Sequence, residues 1–258
     1  MPLLKRHLSR IFPPLLLTAG LLLIWELLVR WLEVPLWLLP PPSAVILSLI
    51  YRWPLLWWHG GYTLIEALAG FILAMVVALL LAPLLDRIQW LKQAVYPLLV
   101  FSQAIPLMVL AVLLVIFAGF GLMPKILVVM LVCSFPILIN LLNGLHSCDP
   151  DLISLFRSMN VKPGAIYRMV KFPAALPAFF AGLRISATYS IMAAVVAEWL
   201  GAYRGLGYFI TLSQKSYQMD QLLAAVILIC LFSFILVKLV DVVEYYVIPQ
   251  PSKLKPHI

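Results

Sequence analysis

Four charged side chains fall inside long apolar runs of this 258-residue chain: Glu26, Glu66, Arg184 and Lys238, the last followed three residues on by Asp241. A charge at the centre of a hydrocarbon layer costs on the order of 2.5–3.5 kcal/mol, so each needs a partner or a task. Glu66 and Lys238 lie near the ends of their runs, where a long stem lets the charged tip reach headgroups. Arg184 lies about ten residues into its run, too deep for that. It can form a structural ion pair with Glu26 or Glu66, or it can hold an anion. A second concentration of charge is "DPDLISLFRSMNVKPGAIYRMVKFPAALP", residues 149–177, which carries Arg157, Lys162, Arg168 and Lys171.

Several chemistries are excluded by what these residues lack. His146 and Cys148 are close in sequence, but a metal needs three or four ligands, so no metal site is expected. Cys133, Cys148 and Cys230 are scattered and imply no disulfide framework. No Gly-x-x-x-x-Gly-Lys-Ser/Thr occurs, and Gly205-Leu206-Gly207 is too short to cradle phosphate. Gly201, Gly205 and Gly207 instead suit a tight re-entrant turn. An intramembrane hydrolase would need a Gly-x-Ser-x-Gly, a His-Glu-x-x-His or paired intramembrane aspartates, and the chain has none. A self-sufficient ion-coupled carrier would show an internal repeat. Residues 1–129 and 130–258 share no evident similarity.

The elements that must position these residues are membrane spans. The chain is 64% hydrophobic and 11% charged, with a mean hydropathy of +1.08. Soluble domains average roughly 25% charged residues, so this chain has too little polar surface to wrap a globule in water. A hydrocarbon layer of about 30 Å needs about 20 apolar residues as helix. Six segments qualify: 12–31, 62–85, 94–118, 126–145, 175–197 and 221–245. Pro97 and Pro106 interrupt the third, which is tolerable where neighbours or water satisfy the freed carbonyls. Lys5-Arg6-His7 resembles the start of a signal peptide, but the apolar run continues past Leu28 with no cleavage site, so a retained first span is expected.

Net charge is +8, and the basic residues sit mainly in short loops, which suits topological signalling and anionic headgroups rather than nucleic acid. With the N-terminus inside, Lys5, Arg6, Arg10, Arg87, Lys92, Arg157, Lys162, Arg168, Lys171, Lys253 and Lys255 are internal. Arg30, Arg52, Lys125, Arg204 and Lys215 are then external. Eleven against five predicts both termini in the cytoplasm. After Pro40-Pro41-Pro42, Ser43 is the expected cap of a short helix to Tyr51, and Trp53, Trp57 and Trp58 suit interfacial anchoring.

The loop 146–174 therefore faces the cytoplasm. Asp149 or Asp151 can cap a helix beginning after Pro150. Leu152, Leu155, Phe156 and Met159 fall at i, i+3, i+4 and i+7, one apolar face. Ser154, Arg157 and Ser158 lie on other faces. Asn160 can close the helix in left-handed geometry. Pro163-Gly164 turns the chain, and a second short helix, 165–171, is expected to stop before Pro173. The apolar stripe must be buried in a lipid interface or in a groove of a partner.

This loop resembles the "EAA" loop of bacterial ABC importer permeases: Glu-Ala-Ala, three residues, Gly, nine residues, Ile, one residue, Leu-Pro. Ser154-Leu155-Phe156 take the first three places, Asn160 the glycine, Val170 the isoleucine and Phe172-Pro173 the final pair. "FPAALPAFFAGLRIS", "AEWLGAYRGLGYFI", "TLIEALAGFILAM" and "FSQAIPLMVLAVLLVIFAGFG" resemble further family blocks, so the resemblance runs from Tyr62 to Leu239. It is nearest to the binding-protein-dependent subfamily serving nitrate, sulfonate, taurine and thiamine-pyrimidine-precursor uptake.

The resemblance implies an all-α integral membrane protein with six transmembrane helices in the type I ABC importer (MetI-like) permease fold. It would form one permease domain in the bacterial inner membrane, with a cytoplasmic coupling helix. The implied partners are a cytoplasmic ABC ATPase dimer, a second permease copy, an extracytoplasmic solute-binding protein and the bilayer. ATP and Mg would be bound by the ATPase, and no cofactor by this chain. The coupling surface would be Leu152, Ser154, Leu155, Phe156, Arg157, Met159, Asn160, Lys162, Phe172 and Pro173, with Arg157 and Lys162 meeting acidic groups on the ATPase. Candidates for the solute path or the receptor contact are Arg184, Tyr189, Glu198, Trp199, Tyr203 and Tyr208, with simple packing as the alternative for Glu198, Trp199, Tyr203 and Tyr208.

Overall fold

The structure is a computed structural model and describes residues 2–248, with the side chains of residues 2–11 and 15 left aside. Lys253 and Lys255 of the orientation count lie outside the described residues. Every regular element among the described residues is helical. In order they are α1 (Pro2–Trp31), α2 (Pro42–Tyr51), α3 (Trp53–Arg87), α4 (Gln89–Ala104), α5 (Leu107–Ala118) and α6 (Leu122–His146). Then come α7 (Pro150–Ser158), α8 (Pro163–Ile166), a wide π turn (Tyr167–Lys171), α9 (Phe172–Glu198), α10 (Leu206–Lys215) and α11 (Met219–Val247). Among the described residues five helices are long and apolar enough to cross a membrane, and α4 with α5, bent by 104°, makes a sixth if the pair is one span.

The chain divides into two compact units. The first takes the chain up to His59 together with Phe209–Leu228. Within it, Glu26 reaches Arg30 at 2.6 Å and accepts from the backbone N–H of Ser43 at 3.0 Å and its hydroxyl at 2.8 Å. The expected cap of α2 is thus corrected. Ser43 lies inside a helix that begins at Pro42, and Glu26 supplies the acceptor that a capping side chain would give. Ser48 donates to Asp220, and Trp53 stacks on Trp57 with ring centres 5.7 Å apart.

The second unit, Gly60–Tyr208 with the chain from Ile229 onward, is built on α6 and α9. They run antiparallel with very close backbones. A Cβ on Gly182 would stand 2.8 Å from the Pro136 carbonyl, and one on Gly144 would stand 2.8 Å from the Cβ of Ala178. The buried residues of α9 include the small Ala175, Gly182, Ser186, Ala187, Ser190, Ala193 and Ala194, which permit this approach, beside the larger Phe179, Phe180, Leu183 and Ile191. Where lipid replaces water, contact of this kind drives association in place of the hydrophobic effect. Cys133 and Ser186 tie the pair, each side chain donating to the other's carbonyl, at 3.3 and 2.9 Å.

α3 and α6 run in parallel. Lys125 meets Glu66 at one end, and His146 lies 3.9 Å from Asp86 at the other. Two parallel helices need a return crossing between them, and α4–α5 supplies it. Its start is held where Lys92 Nζ lies 3.0 Å from His146 Nε2, and its far end is where Phe120 packs over Gly201. The bent pair therefore links opposite ends of the unit and is one crossing, not a re-entrant hairpin. The bend has a local cause. Pro106 has no N–H to give and forces Ile105 into extended geometry, φ −72° and ψ 121°, whereas Pro97 stays inside α4.

Candidate functional site

The loop 146–174 is folded by its own sequence. The Asp149 carboxylate accepts the Asp151 N–H at 2.9 Å, and Pro150 takes the first helical position, where a missing N–H does no harm. At the other end Asn160 adopts φ +58°. Its N–H donates to the Arg157 carbonyl, and the Val161 N–H to that of Phe156, the double closure of a Schellman turn. Phe156 and Val161 then pack with Cys148, Ile153, Ile166 and Val170 beneath the loop. The second short helix differs from expectation. It does not stop before Pro173, because the π turn widens the backbone at the point where a proline N–H is missing and carries the helix into α9.

This packing splits the predicted apolar face. Phe156 turns inward with Ile153. Leu152, Leu155 and Met159 stay outward and are 41%, 55% and 66% exposed. Ser154, Asn160, Lys162 and Pro173 are exposed, and Phe172 is half-buried with its ring 6.1 Å from that of Tyr167. Arg157 lines a cavity of about 420 Å³ with Asp86, Arg87, Ile153, Tyr167 and Lys171. It therefore sits on the opposite side of α7 from the outward ridge. Lys171 is tied to Asp86 at 2.8 Å.

The ion pairs within the spans correct the sequence expectation. Arg184 bonds neither Glu26 nor Glu66. Its Nε donates to Asp241 at 2.7 Å and its terminal nitrogen to Glu244. Asp241 and Glu244 are three apart on α11 and so share a face, a spacing that could have been read from the sequence. Glu66 does not reach for headgroups either: it is buried and bonded to Lys125 at 2.7 Å.

Among the remaining path candidates, Glu198 is buried and organises the turn after α9. It accepts from Thr63 Oγ1 at 2.7 Å and from the Gly207 N–H at 2.5 Å, while Thr63 accepts from the Leu206 N–H at 2.8 Å. These bonds satisfy two of the free donors at the start of α10, the N–H groups of Leu206 and Gly207. Gly205, at φ +107°, lies where any Cβ would run into the Glu198 carboxylate. The glycines thus fold the chain over Glu198. Trp199 and Tyr203 are 43% and 84% exposed, and Tyr208 is half-buried. Tyr203 joins Tyr62, Glu66, Phe120, Lys125 and Arg204 around a cavity of about 720 Å³ at the end opposite the loop 146–174. Tyr189 lies elsewhere, at the bend between α4 and α5. It lines a cavity of about 490 Å³ with Ser102, Gln103, Pro106, Ser134 and Met192, and no lining residue of that cavity is charged.

Comparison with known proteins identifies the arrangement. Residues 68–253 match the family described as binding-protein-dependent transport system inner membrane component. A probable ABC transporter permease protein of Haemophilus influenzae is 34% identical over 90% of this chain and 95% of its own length. The formylaminopyrimidine transport permease protein ThiX of Halalkalibacterium halodurans is 36% identical over 76% of this chain and 78% of its own length. Among solved structures, an inward-facing MetNI methionine ABC transporter chain matches with a TM-score of 0.59 at 20% identity, covering 74% of this chain and 93% of that one. The chain belongs to the binding-protein-dependent inner membrane component family, the multi-pass permease subunits of ABC importers.

Proposed function

We propose that this chain lines the path by which a small, uncharged heterocyclic solute of the aminopyrimidine kind enters the cell. In this reading a partner ATPase, gripping α7, drives the crossing. The observation that carries the coupling is the outward ridge Leu152, Leu155 and Met159, left bare while Ile153 and Phe156 are half-buried against the cluster beneath the loop. An amphipathic helix of this kind is recognised by a groove. Ser154, Asn160, Lys162, Phe172 and Pro173 frame the ridge, and Arg157 acts from behind it. Closure of an ATPase dimer needs two such helices, which a second copy of this chain provides. ATP and Mg belong to the ATPase, and the excess of Lys and Arg sets both termini in the cytoplasm.

The charge pattern favours the solute class. Backbone broken within a span is tolerated only where it lines protein or a water-filled cavity, and the Ile105–Pro106 break falls between the two halves of the bent pair. The cavity there offers the Gln103 amide, serine hydroxyls and the Tyr189 ring without a single charge. Arg184, the cation best suited to an anion, already holds two carboxylates. The similarity to the formylaminopyrimidine permease points the same way.

Proteoliposomes containing this chain, its ATPase and its solute-binding protein test the reading. ATP-driven uptake of labelled formylaminopyrimidine is expected, with unlabelled compound competing and taurine not. Competition by taurine or nitrate alone would overturn the solute class. Uptake indifferent to ATP would overturn the coupling.

A further inference from the structure

The cavity behind α7 has a composition that the coupling reading does not use. Arg87, Arg157 and Lys171 converge on it, with Tyr167 half-buried at its wall. Only Lys171 is neutralised, by Asp86. Among the described residues no salt bridge is formed by Arg87 or Arg157. Two guanidinium groups at the rim of a 420 Å³ cavity are an anion site in waiting, and guanidinium is the group best shaped for a phosphodiester.

The neighbourhood says which anion. Leu73, Val76, Leu80 and Leu84 follow one another along α3 at helical spacing, and Arg87 continues the same stripe three residues on. All four apolar side chains are exposed, Leu80 the most at 64%. Trp90 and Met169 are also exposed near this end, at 70% and 66%. An apolar track that runs along a membrane span into a cationic cavity matches a molecule with acyl chains and a phosphate head. Basic pockets at the cytoplasmic ends of membrane helices take such headgroups.

We propose that this cavity binds the phosphate headgroup of an anionic phospholipid, its chains lying along Leu73–Leu84 of α3. The headgroup bridges Arg87 on α3 and Arg157 on α7, so the lipid fastens the coupling helix to the end of a span. Arg157 thereby faces a lipid, while the outward ridge faces the ATPase.

The test is native mass spectrometry of the purified transporter complex released from nanodiscs of phosphatidylcholine with one quarter phosphatidylglycerol. The complex is expected to retain phosphatidylglycerol. The Arg87→Gln/Arg157→Gln variant should retain about thirtyfold less, from about 1 kcal/mol for each cation near the surface. Arg168→Gln, an exposed cation that does not line the cavity, should retain it as wild type does. Equal retention by wild type and the double variant, or none by either, would overturn the site. Displacement of phosphatidylglycerol by millimolar inorganic phosphate would assign the cavity to a soluble phosphate and overturn the lipid.

Discussion

Leu155→Asp should strip the partner ATPase from the purified complex while leaving the membrane-embedded chain intact. Leu155 is 55% exposed in the free chain and makes no part of the cluster beneath the loop. Its substitution therefore costs the chain itself little. In the complex the same position would be buried. Losing a buried leucine forfeits about 1.5–3 kcal/mol, and an unpaired polar group in its place adds about 1–3 kcal/mol. Docking should weaken by about sixtyfold or more, read as loss of co-purifying ATPase and of ATP-driven uptake with an unchanged thermal midpoint. Phe156→Asp is the less informative change. Phe156 packs with Cys148, Ile166 and Val170, so a charge there unmakes the loop before any partner arrives. Wild-type ATPase stoichiometry in Leu155→Asp would show that the ridge does not dock.

Arg184→Leu should destabilise the chain strongly, and removing its partners as well should restore it. Arg184 lies twelve residues into α9, about 18 Å along the helix at 1.5 Å per residue. Within a span, removing Arg184 leaves Glu244 without its cation and Asp241 with Lys238 alone. A clearly lowered midpoint is expected in a detergent melt. Arg184→Leu/Lys238→Leu/Asp241→Leu/Glu244→Leu removes the whole cluster and should recover most of that loss. A fall in uptake with the midpoint unmoved would instead make Arg184 a solute contact.

The coupling loop was the most legible part of the sequence because its signals are local. Asp149 as cap, Pro150 at the first position, Asn160 in left-handed geometry and the apolar spacing of α7 each depend on a few neighbouring residues. The spans were legible from composition, though α3 begins at Trp53 rather than near Tyr62 and the third crossing is bent. What stayed hidden was long-range. Glu26 meets Ser43, Glu66 meets Lys125 and Arg184 meets Asp241 and Glu244, and no spacing rule names such partners across separate helices. The inward turn of Phe156 was hidden for the same reason. Four residues at i, i+3, i+4 and i+7 share a broad face, and only packing against Ile166 and Val170 divides it. Glu198 belongs here too, since its partners Thr63 and Gly207 flank it in space but lie 135 and 9 residues away in sequence.

The most direct measurement is labelling of Met159→Cys by a membrane-impermeant maleimide, with Cys133, Cys148 and Cys230 replaced by alanine. Met159 is the most exposed member of the ridge, at 66%. In inside-out vesicles the cysteine should react rapidly when the chain is made alone and be protected when the ATPase is co-expressed. Reaction from the outside of right-side-out cells, or equal labelling with and without the ATPase, would contradict the account.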